Sequence, residues 1–307
     1  MEYAKINVLI VTYNQADVIG RNIESILCQK EYGLNEIVIA DDCSSDKNWE
    51  VIQKYANKYP QYIRAYRNNP NLGIYGNSNK LVTQRGVADL YCWLEGDDAL
   101  ADGLFADVQK QILEDNINLK ESVGIFHDYI LKGTNNYEKI ITNKKILLEK
   151  KPLSLYIRGM VSWRATLFTE EVMSQFVEVD ITKGVGTAES MFDSQFFKYL
   201  EKVYYHSIPG SYYYTGVGIS TQISSNSSYY TTEVIDNEEM LTRFWKLGKK
   251  DSLWMRYNVN RAQYIVSHKG LALWKTIYYY SLGSVGYNFS LRFILHLIKE
   301  HLQLLAK

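Results

Sequence analysis

Glu95, Asp97 and Asp98 fall within four positions of the stretch YCWLEGDDAL. Like charges this close repel one another, and burial at the mouth of a strand adds a desolvation cost. A hard divalent cation, which takes oxygen ligands and keeps waters or phosphates in its remaining positions, would offset both. The alternative is a solvated acidic loop in which Asp98 or Asp102 caps the helix DGLFADVQKQIL. A second acid group, Asp41, Asp42 and Asp46, lies in ADDCSSD.

The elements that must position these acids follow from hydrophobic patterning. INVLIVTYN is a continuous apolar run with β-branched residues, the pattern of a strand covered on both faces. Ile19, Ile23, Ile26 and Leu27 then recur at helical spacing, with Asn14 or Asp17 as candidate caps. EIVIADD reads as a second buried strand, SSDKNWEVIQKYANKY as a capped helix, and YIRAYRN as a short third strand. A glycine-bearing turn and helix, NPNLGIYGNSNKLVTQRGVA, lead into a fourth strand, DLYCWL. Strands alternating with helices imply a parallel sheet with right-handed crossovers. Ligands of such sheets bind beyond the carboxyl ends of the strands, where VTYN, ADDCSSD and EGDD all fall.

Taken in order, VLIVTYNQADVIGRNIESIL, EIVIADDCSSDKNWEVI, NLGIYGNSNKLV and YCWLEGDDAL resemble the family 2 glycosyltransferases of GT-A fold over about residues 5 to 110. The resemblance implies a Rossmann-like mixed α/β sheet flanked by helices, with a C-terminal helical extension. It also implies a nucleotide-sugar donor, usually UDP-linked, and inversion at the anomeric centre. Val11, Thr12 and Asn14 would line the nucleobase pocket, Asp41 would accept a hydrogen bond from the base N–H, and Asp42 would buttress that loop. Gly73, Gly76 and Asn79 would shape the donor cleft. Asn77 and Ser78 stand where many members have alanine and arginine, so the resemblance does not carry over an arginine contact to the diphosphate; Arg85 is either a substitute for it or, the favoured reading, a cation on a solvated helix face. The family writes its acid cluster D-x-D, and here Glu95 takes the first position. The resemblance makes Asp97 the ligand of Mn²⁺ or Mg²⁺, with Glu95 and Asp98 completing the acidic site and Glu95 reaching the ribose or a metal-bound water.

Inversion by single displacement needs a general base for the acceptor hydroxyl. In the enzymes this chain resembles, an aspartate begins the helix after the antiparallel strand, with a leucine seven residues later. Asp193 fits that spacing to Leu200, in a helix expected over 188–201, and Glu189 lies one turn earlier. Phe192 replaces the usual glutamate before the aspartate. GMVSWRATLF could floor an acceptor site, with Trp163 either stacked on a sugar or buried in the core. His127 and His206 read as packing or strand-edge residues, and Tyr212, Tyr213 and Tyr214 as alternating strand positions.

With 307 residues, the chain can bury a sizeable core. The reading divides it into a nucleotide-sugar-binding half over 1–115, an acceptor-binding half over 116–228, and a basic, aromatic-rich helical extension over 229–307. Cys28, Cys43 and Cys92 are odd in number and lack CxxC spacing, which suggests neither a disulfide framework nor a cysteine zinc site. No apolar run is long enough for a signal peptide or a membrane span, so the expected location is cytoplasmic, on the inner face of the membrane if the extension docks there.

The zero net charge hides an asymmetry. From residue 241 onward eleven Lys and Arg face only Asp251 and Glu300. These cations are interleaved with Trp245, Trp254, Trp274, Tyr278, Tyr279, Tyr280, Phe289 and Phe293, a composition suited to a membrane interface or to the core of a helical subdomain or homodimer. No nucleic-acid recognition motif accompanies the charge. The expected activity is transfer of a sugar to a saccharide or lipid-linked saccharide during surface polysaccharide synthesis. The alternatives are a nucleotidyltransferase and a non-catalytic sugar-nucleotide-binding or scaffolding protein. A dinucleotide-dependent oxidoreductase is disfavoured, because no GxGxxG follows the first strand.

Overall fold

The computed structural model describes residues 2–133, 137–148, 152–179, 185–215, 245–267, 270–284 and 289–305. β1 (Ile6–Thr12) is buried at every position, as its unbroken apolar run requires. It lies at the centre of a parallel group with β2 (Leu34–Asp41), β3 (Ile63–Arg67) and β4 (Leu90–Glu95), ordered β3-β2-β1-β4. The register pairs Thr12 with Asp41 and Val11 with Glu95. Three strand ends carrying polar side chains therefore finish at one level.

Helices α1 (Ile19–Leu27), α2 (Asn48–Lys58) and α3 (Gly73–Thr83) make the crossovers. α1 buries Ile19, Ile23, Ile26 and Leu27 against Ile10, Ile39 and Leu94. Ile10 is fully buried, and truncating it to alanine should cost about 2–5 kcal/mol through lost transfer energy and the cavity left behind. Neither Asn14 nor Asp17 caps α1; the Gln15 carbonyl accepts from the Val18 and Ile19 amides instead. Asn14, at φ 52°, is committed to the neighbouring loop.

Beyond β4 the sheet turns mixed. β5 (Ala99–Leu100) is a two-residue strand, and α4 (Leu104–Glu114) follows from Gly103 at φ 83° with no side-chain cap, so neither Asp98 nor Asp102 caps it. β6 (Val123–Lys132) pairs with β7 (Glu138–Ile141), within what the sequence presents as a polar excursion. After a short helix α5 (Pro152–Ile157), β8 (Thr166–Thr169) lies antiparallel between β4 and β6. It is shorter than the run VSWRATLF suggests, because Trp163 and Arg164 turn before the strand begins. α6 (Glu170–Met173) and α7 (Val185–Lys198) precede β9 (Lys202–Tyr214), which runs parallel to β6 and antiparallel to β5.

An aromatic layer fixes α7 on the sheet from Phe192 onward. Phe192 packs against Trp93 with ring centroids 4.9 Å apart, and Phe196 stacks on Phe168 at 4.8 Å. Both phenylalanines are buried, and such pairs add about 0.5–1.5 kcal/mol beyond their area. The intervening Asp193 is carried by that packing.

Met1–Ile181 with Phe192–Gly218 form one compact unit; Thr182–Met191 with Ile219–Lys307 form a second. Of the helical extension expected over 229–307, the described residues contain α8 (Lys249–Ser267), α9 (Gly270–Gly283) and α10 (Leu291–Leu305); residues 216–244 lie outside them. Trp254, Tyr257 and Tyr280 are buried among one another, with centroids 4.7 to 6.1 Å apart. Among the described residues no helix is long and apolar enough to cross a membrane.

Candidate active site

The loop after β2 is wired to itself. The buried carboxylate of Asp41 accepts from the Ser44 hydroxyl and amide and from Asn48 Nδ2 at 2.5, 3.1 and 2.8 Å, and Arg67 Nε lies 3.3 Å away. Asp42 accepts from Asn68 Nδ2 and the Leu72 amide, each at 2.9 Å. Asn14 joins this loop to the end of β1: its Oδ1 accepts from the Ser45 amide at 2.8 Å, while its own amide donates to Ser44 Oγ. Asp46 receives the Ala16 and Asn48 amides, which makes it part of the same seam. Thr12 donates to Gln15 and accepts from Asn48, so Val11 and Thr12 are buried beside the loop.

The loop after β4 is built differently. Gly96 has no room for a side chain: a Cβ there would lie 2.3 Å from Gln15 Oε1 and 2.8 Å from Thr12. Glycine is thus what lets the acid loop lie against the end of β1. α1 holds the loop by its carbonyls, with Asn22 Nδ2 donating to Glu95 O and Asp98 O at 2.8 and 3.1 Å and Arg21 to Asp97 O. Those donors fix the backbone and leave the carboxylates to other partners. Arg164 is the principal one, at 3.1 Å from Glu95 and 3.9 Å from Asp98, and its guanidinium also lies over the rings of Tyr213 and Trp163. Asp98 further accepts from the Tyr214 amide at 3.1 Å. Among the described residues no cationic side chain lies within ion-pair distance of Asp97, although Asp97 is only 9% exposed.

The electrostatics follow. Burial pushes the Asp97 carboxyl up, the nearby Glu95 charge adds to it, and Arg164 and Arg21 offset only part. Burial and then Glu95 push Asp98 well above the usual carboxylate range. Desolvation would loosen the Arg164 proton, but Glu95 and Asp98, followed by Tyr213 and Asp193, outweigh it and hold the guanidinium charged. Three carboxylates against one buried cation leave a deficit of positive charge centred on Asp97. An all-oxygen donor set with that deficit fits a hard divalent ion.

Asp193 enters this field through Arg164, though not from a helix start, because α7 begins two turns earlier at Val185. The Glu189 backbone lies in the same helix; its side chain is outside the described residues. Asn79 clasps the Val179 backbone in both directions, at 2.9 and 3.1 Å, and with Gly76 lines a cavity of about 340 Å³ that contains none of the Glu95–Asp98 acids. Gly73, at φ 72°, opens α3 with free space where a Cβ would stand. Arg85 forks onto Glu170 near Asn7, at the opposite, amino end of the strands, which removes it as a candidate for the diphosphate. Trp163 is buried against Phe196. Arg21, Asn22 and Arg164 had no signal of their own in the sequence, since surface and loop positions of these types are ordinary.

The model of the family "Glycosyl transferase family 2" matches residues 7–166, and the chain belongs to that family. Its sheet and flanking helices are of GT-A type. The structure of Staphylococcus aureus TarS 1–349 superposes with a TM-score of 0.58 at 15% identity, covering 90% of this chain and 80% of that one. A mannosyltransferase of Pyrobaculum calidifontis, solved with GDP-Man and Mn²⁺, superposes at 0.53 and 12% identity over 100% and 82% of the two chains. In sequence, the abequosyltransferase RfbV of Salmonella typhimurium is 36% identical over 34% of this chain and 31% of its own length. The cholesterol galactosyltransferase of Borreliella burgdorferi is 24% identical over 86% and 76%. The chain spans about a third of the length of the first curated relatives it matches.

Proposed function

We propose that this chain is a metal-dependent inverting glycosyltransferase that moves a sugar from a nucleoside diphosphate, with UDP the favoured carrier, to a saccharide or lipid-linked saccharide of a surface polysaccharide. The observation that carries this reading is Asp97, buried, raised in pKa and, among the described residues, without a cationic side chain in ion-pair range, at the carboxyl end of a central strand. Asp97, with Glu95 and then Asp98, would hold Mn²⁺ or Mg²⁺, which would supply positive charge to the departing diphosphate.

The remaining work falls to the chain itself. Arg164 keeps Glu95 and Asp98 in place, and Asn22 and Arg21 fix the loop they stand on. Val11, Thr12 and Asn14 border the base pocket; for Asp41 to accept a base N–H directly, the Ser44 hydroxyl that now caps it must turn away. Gly73 and Asn79 shape the adjoining wall of the donor cleft, and Asp42 supports it through the Leu72 amide. Asp193, or Glu189 one turn before it, removes the acceptor proton as the new glycosidic bond forms and the sugar–phosphate bond breaks on the opposite face. Asp193 is preferred because it shares the charge field of Arg164.

Release of UDP from UDP-sugars in the presence of Mn²⁺, with and without saccharide acceptors, tests the reading. UDP release that depends on metal and on Asp97 supports it. Conversion of the UDP-sugar to UTP and sugar 1-phosphate on addition of pyrophosphate would indicate a nucleotidyltransferase, and donor binding without turnover would indicate a binding module.

The helical tail supports a peripheral membrane location for this reading. Leu271, Trp274, Tyr278 and Leu282 recur along α9 as one exposed apolar stripe, and Lys275, Arg292 and Lys299 are exposed on α9 and α10. Rings and aliphatic groups at headgroup depth with neighbouring cations suit the anionic inner face of a membrane. Flotation with anionic vesicles, lost in Trp274→Glu, would support this placement; concentration-dependent dimerisation without flotation would replace it with a homodimer.

A further inference from the structure

Asp107, His127 and His206 converge in the first unit, and none of them belongs to the acid loops of the proposed transfer site. Asp107 Oδ2 lies 3.2 Å from His127 Nε2 and 2.6 Å from His206 Nδ1, and the three ligand atoms all fall within 4.8 Å of one another. The fold arranges this directly. β6 and β9 run parallel with His127 and His206 as paired residues, so both imidazoles stand on one face of the sheet. The register of the two strands shifts at the next residue, Asp128, a break of the kind that re-aims side chains. α4 brings Asp107 across that face, and close packing there depends on Gly210, whose Cβ would lie 2.9 Å from Ala165 and 3.0 Å from both His127 and Leu104.

The hydrogen bonding of His127 decides what the cluster can hold. Its Nδ1 lies 3.2 Å from the Ala165 carbonyl, which only accepts, so Nδ1 carries a proton and the Nε2 edge is turned to the carboxylate. Nε2 meets the carboxylate either through a second proton or through a cation held between the two groups. The second is the arrangement of metal-ligating histidines, where a backbone carbonyl takes the distal N–H and fixes the other nitrogen toward the ion. Ligands about 2.1 Å from a tetrahedral ion stand about 3.4 Å apart, so adjustments of a few tenths of an ångström to about 1.4 Å would close the set. His127 is fully buried while the His206 side chain is 42% exposed, which gives an ion one open approach and room for water as a fourth ligand.

We propose that Asp107, His127 and His206 bind a borderline divalent metal of the zinc class as a structural staple joining α4, β6 and β9. Two imidazoles and one carboxylate select such ions over Mg²⁺ or Ca²⁺. The staple would hold β9, whose Tyr214 amide donates to Asp98, in register beside the acid loop. The proposal does not depend on the transfer reaction.

The test uses the full chain, stripped with EDTA and titrated with Zn²⁺, then with Co²⁺ as a spectroscopic probe. The expected result is one tight equivalent, a melting temperature raised by several degrees, and visible cobalt absorption. His206→Ala, at an exposed position, should weaken Zn²⁺ binding at least tenfold and abolish the cobalt bands, while Asp97→Asn should leave both intact. Binding should also weaken from about pH 7 to about pH 5 as protons compete for the imidazoles. Equal Zn²⁺ affinity in wild type and His206→Ala, or no tight equivalent in wild type, overturns the proposal. Loss of the signal in Asp97→Asn alone would place the ion in the acid loop and overturn it as well.

Discussion

The acid pairs after β2 and after β4 look alike in sequence, ADD and EGDD, and the structure gives them opposite characters. Asp41 and Asp42 are surrounded by donors from their own chain: Ser44, Asn48, Arg67, Asn68 and the Leu72 amide. Asp97 and Asp98 are buried to a similar degree, but the donors near them mostly grip backbone carbonyls, and one arginine serves Glu95 and Asp98. The first pair builds a loop. The second is left short of positive charge, and that shortage is the ground on which we propose it as the site of a cation and a diphosphate.

Substitutions should separate the two pairs. The largest effect is expected for Asp97→Asn, with sugar transfer falling by about a hundredfold or more, since stabilisation of the leaving group is lost. Its melting temperature in the absence of metal should hold or rise. The sign follows from the raised carboxyl: the folded state holds this proton more tightly than the unfolded chain, so ionisation of Asp97 opposes folding, and asparagine removes that penalty. Asp41→Ala should do the reverse through stability, costing about 3 kcal/mol in urea denaturation because Arg67 and Asn48 lose their buried partner. If Asp41→Ala unfolded normally and lost only activity, the loop-building role would be wrong.

Arg164→Met sharpens the contrast further. Without its cation the acid cluster should destabilise the metal-free protein by about 2 kcal/mol at neutral pH, and Mn²⁺ should restore more of the loss than it adds to wild type. The same imbalance predicts a pH dependence for the metal-free wild type. With Asp97 and Asp98 both raised, their contribution to stability is greatest in the protonated state and declines as pH rises from the ordinary carboxylate range through their elevated values. Thermal melts across that interval, compared with Asp97→Asn, should show the slope flattened in the variant. The smallest effect belongs to Ser44→Ala, about 1 kcal/mol, because Asp41 keeps its other donors.

Much of the first half could be read before any coordinates. Continuous apolar runs and helical spacing give β1 through β4 and their crossovers, and strand ends place VTYN, ADDCSSD and EGDD together, as the register of Thr12 with Asp41 and Val11 with Glu95 confirms. What escaped reading depends on long-range pairing. β5 has two residues and exists because β9 lies beside it; β7 is four mostly exposed residues. Arg164 matters through Glu95 and Asp98, about seventy positions away. Helix starts misled because capping chemistry competes with loop wiring: Asn14 bonds the Ser45 amide rather than α1, and Gln15 O serves the helix. Asp107, His127 and His206 gave no spacing signal, since 20 and 99 residues separate the histidines from their shared carboxylate.

The tail shows the same limit. Its aromatic residues split between Trp254, Tyr257 and Tyr280, buried with one another, and Trp274 and Tyr278, left at the surface. Composition alone could not sort them.

Calorimetric titration of UDP into the full chain, in EDTA and then in Mn²⁺, tests the role of the acid loop most directly. The account predicts that Mn²⁺ tightens UDP binding by at least tenfold in wild type, and that Asp97→Asn binds UDP with the weak affinity of the EDTA condition whether or not Mn²⁺ is present. Equal affinity in the two conditions, or a manganese effect that survives Asp97→Asn, would contradict it.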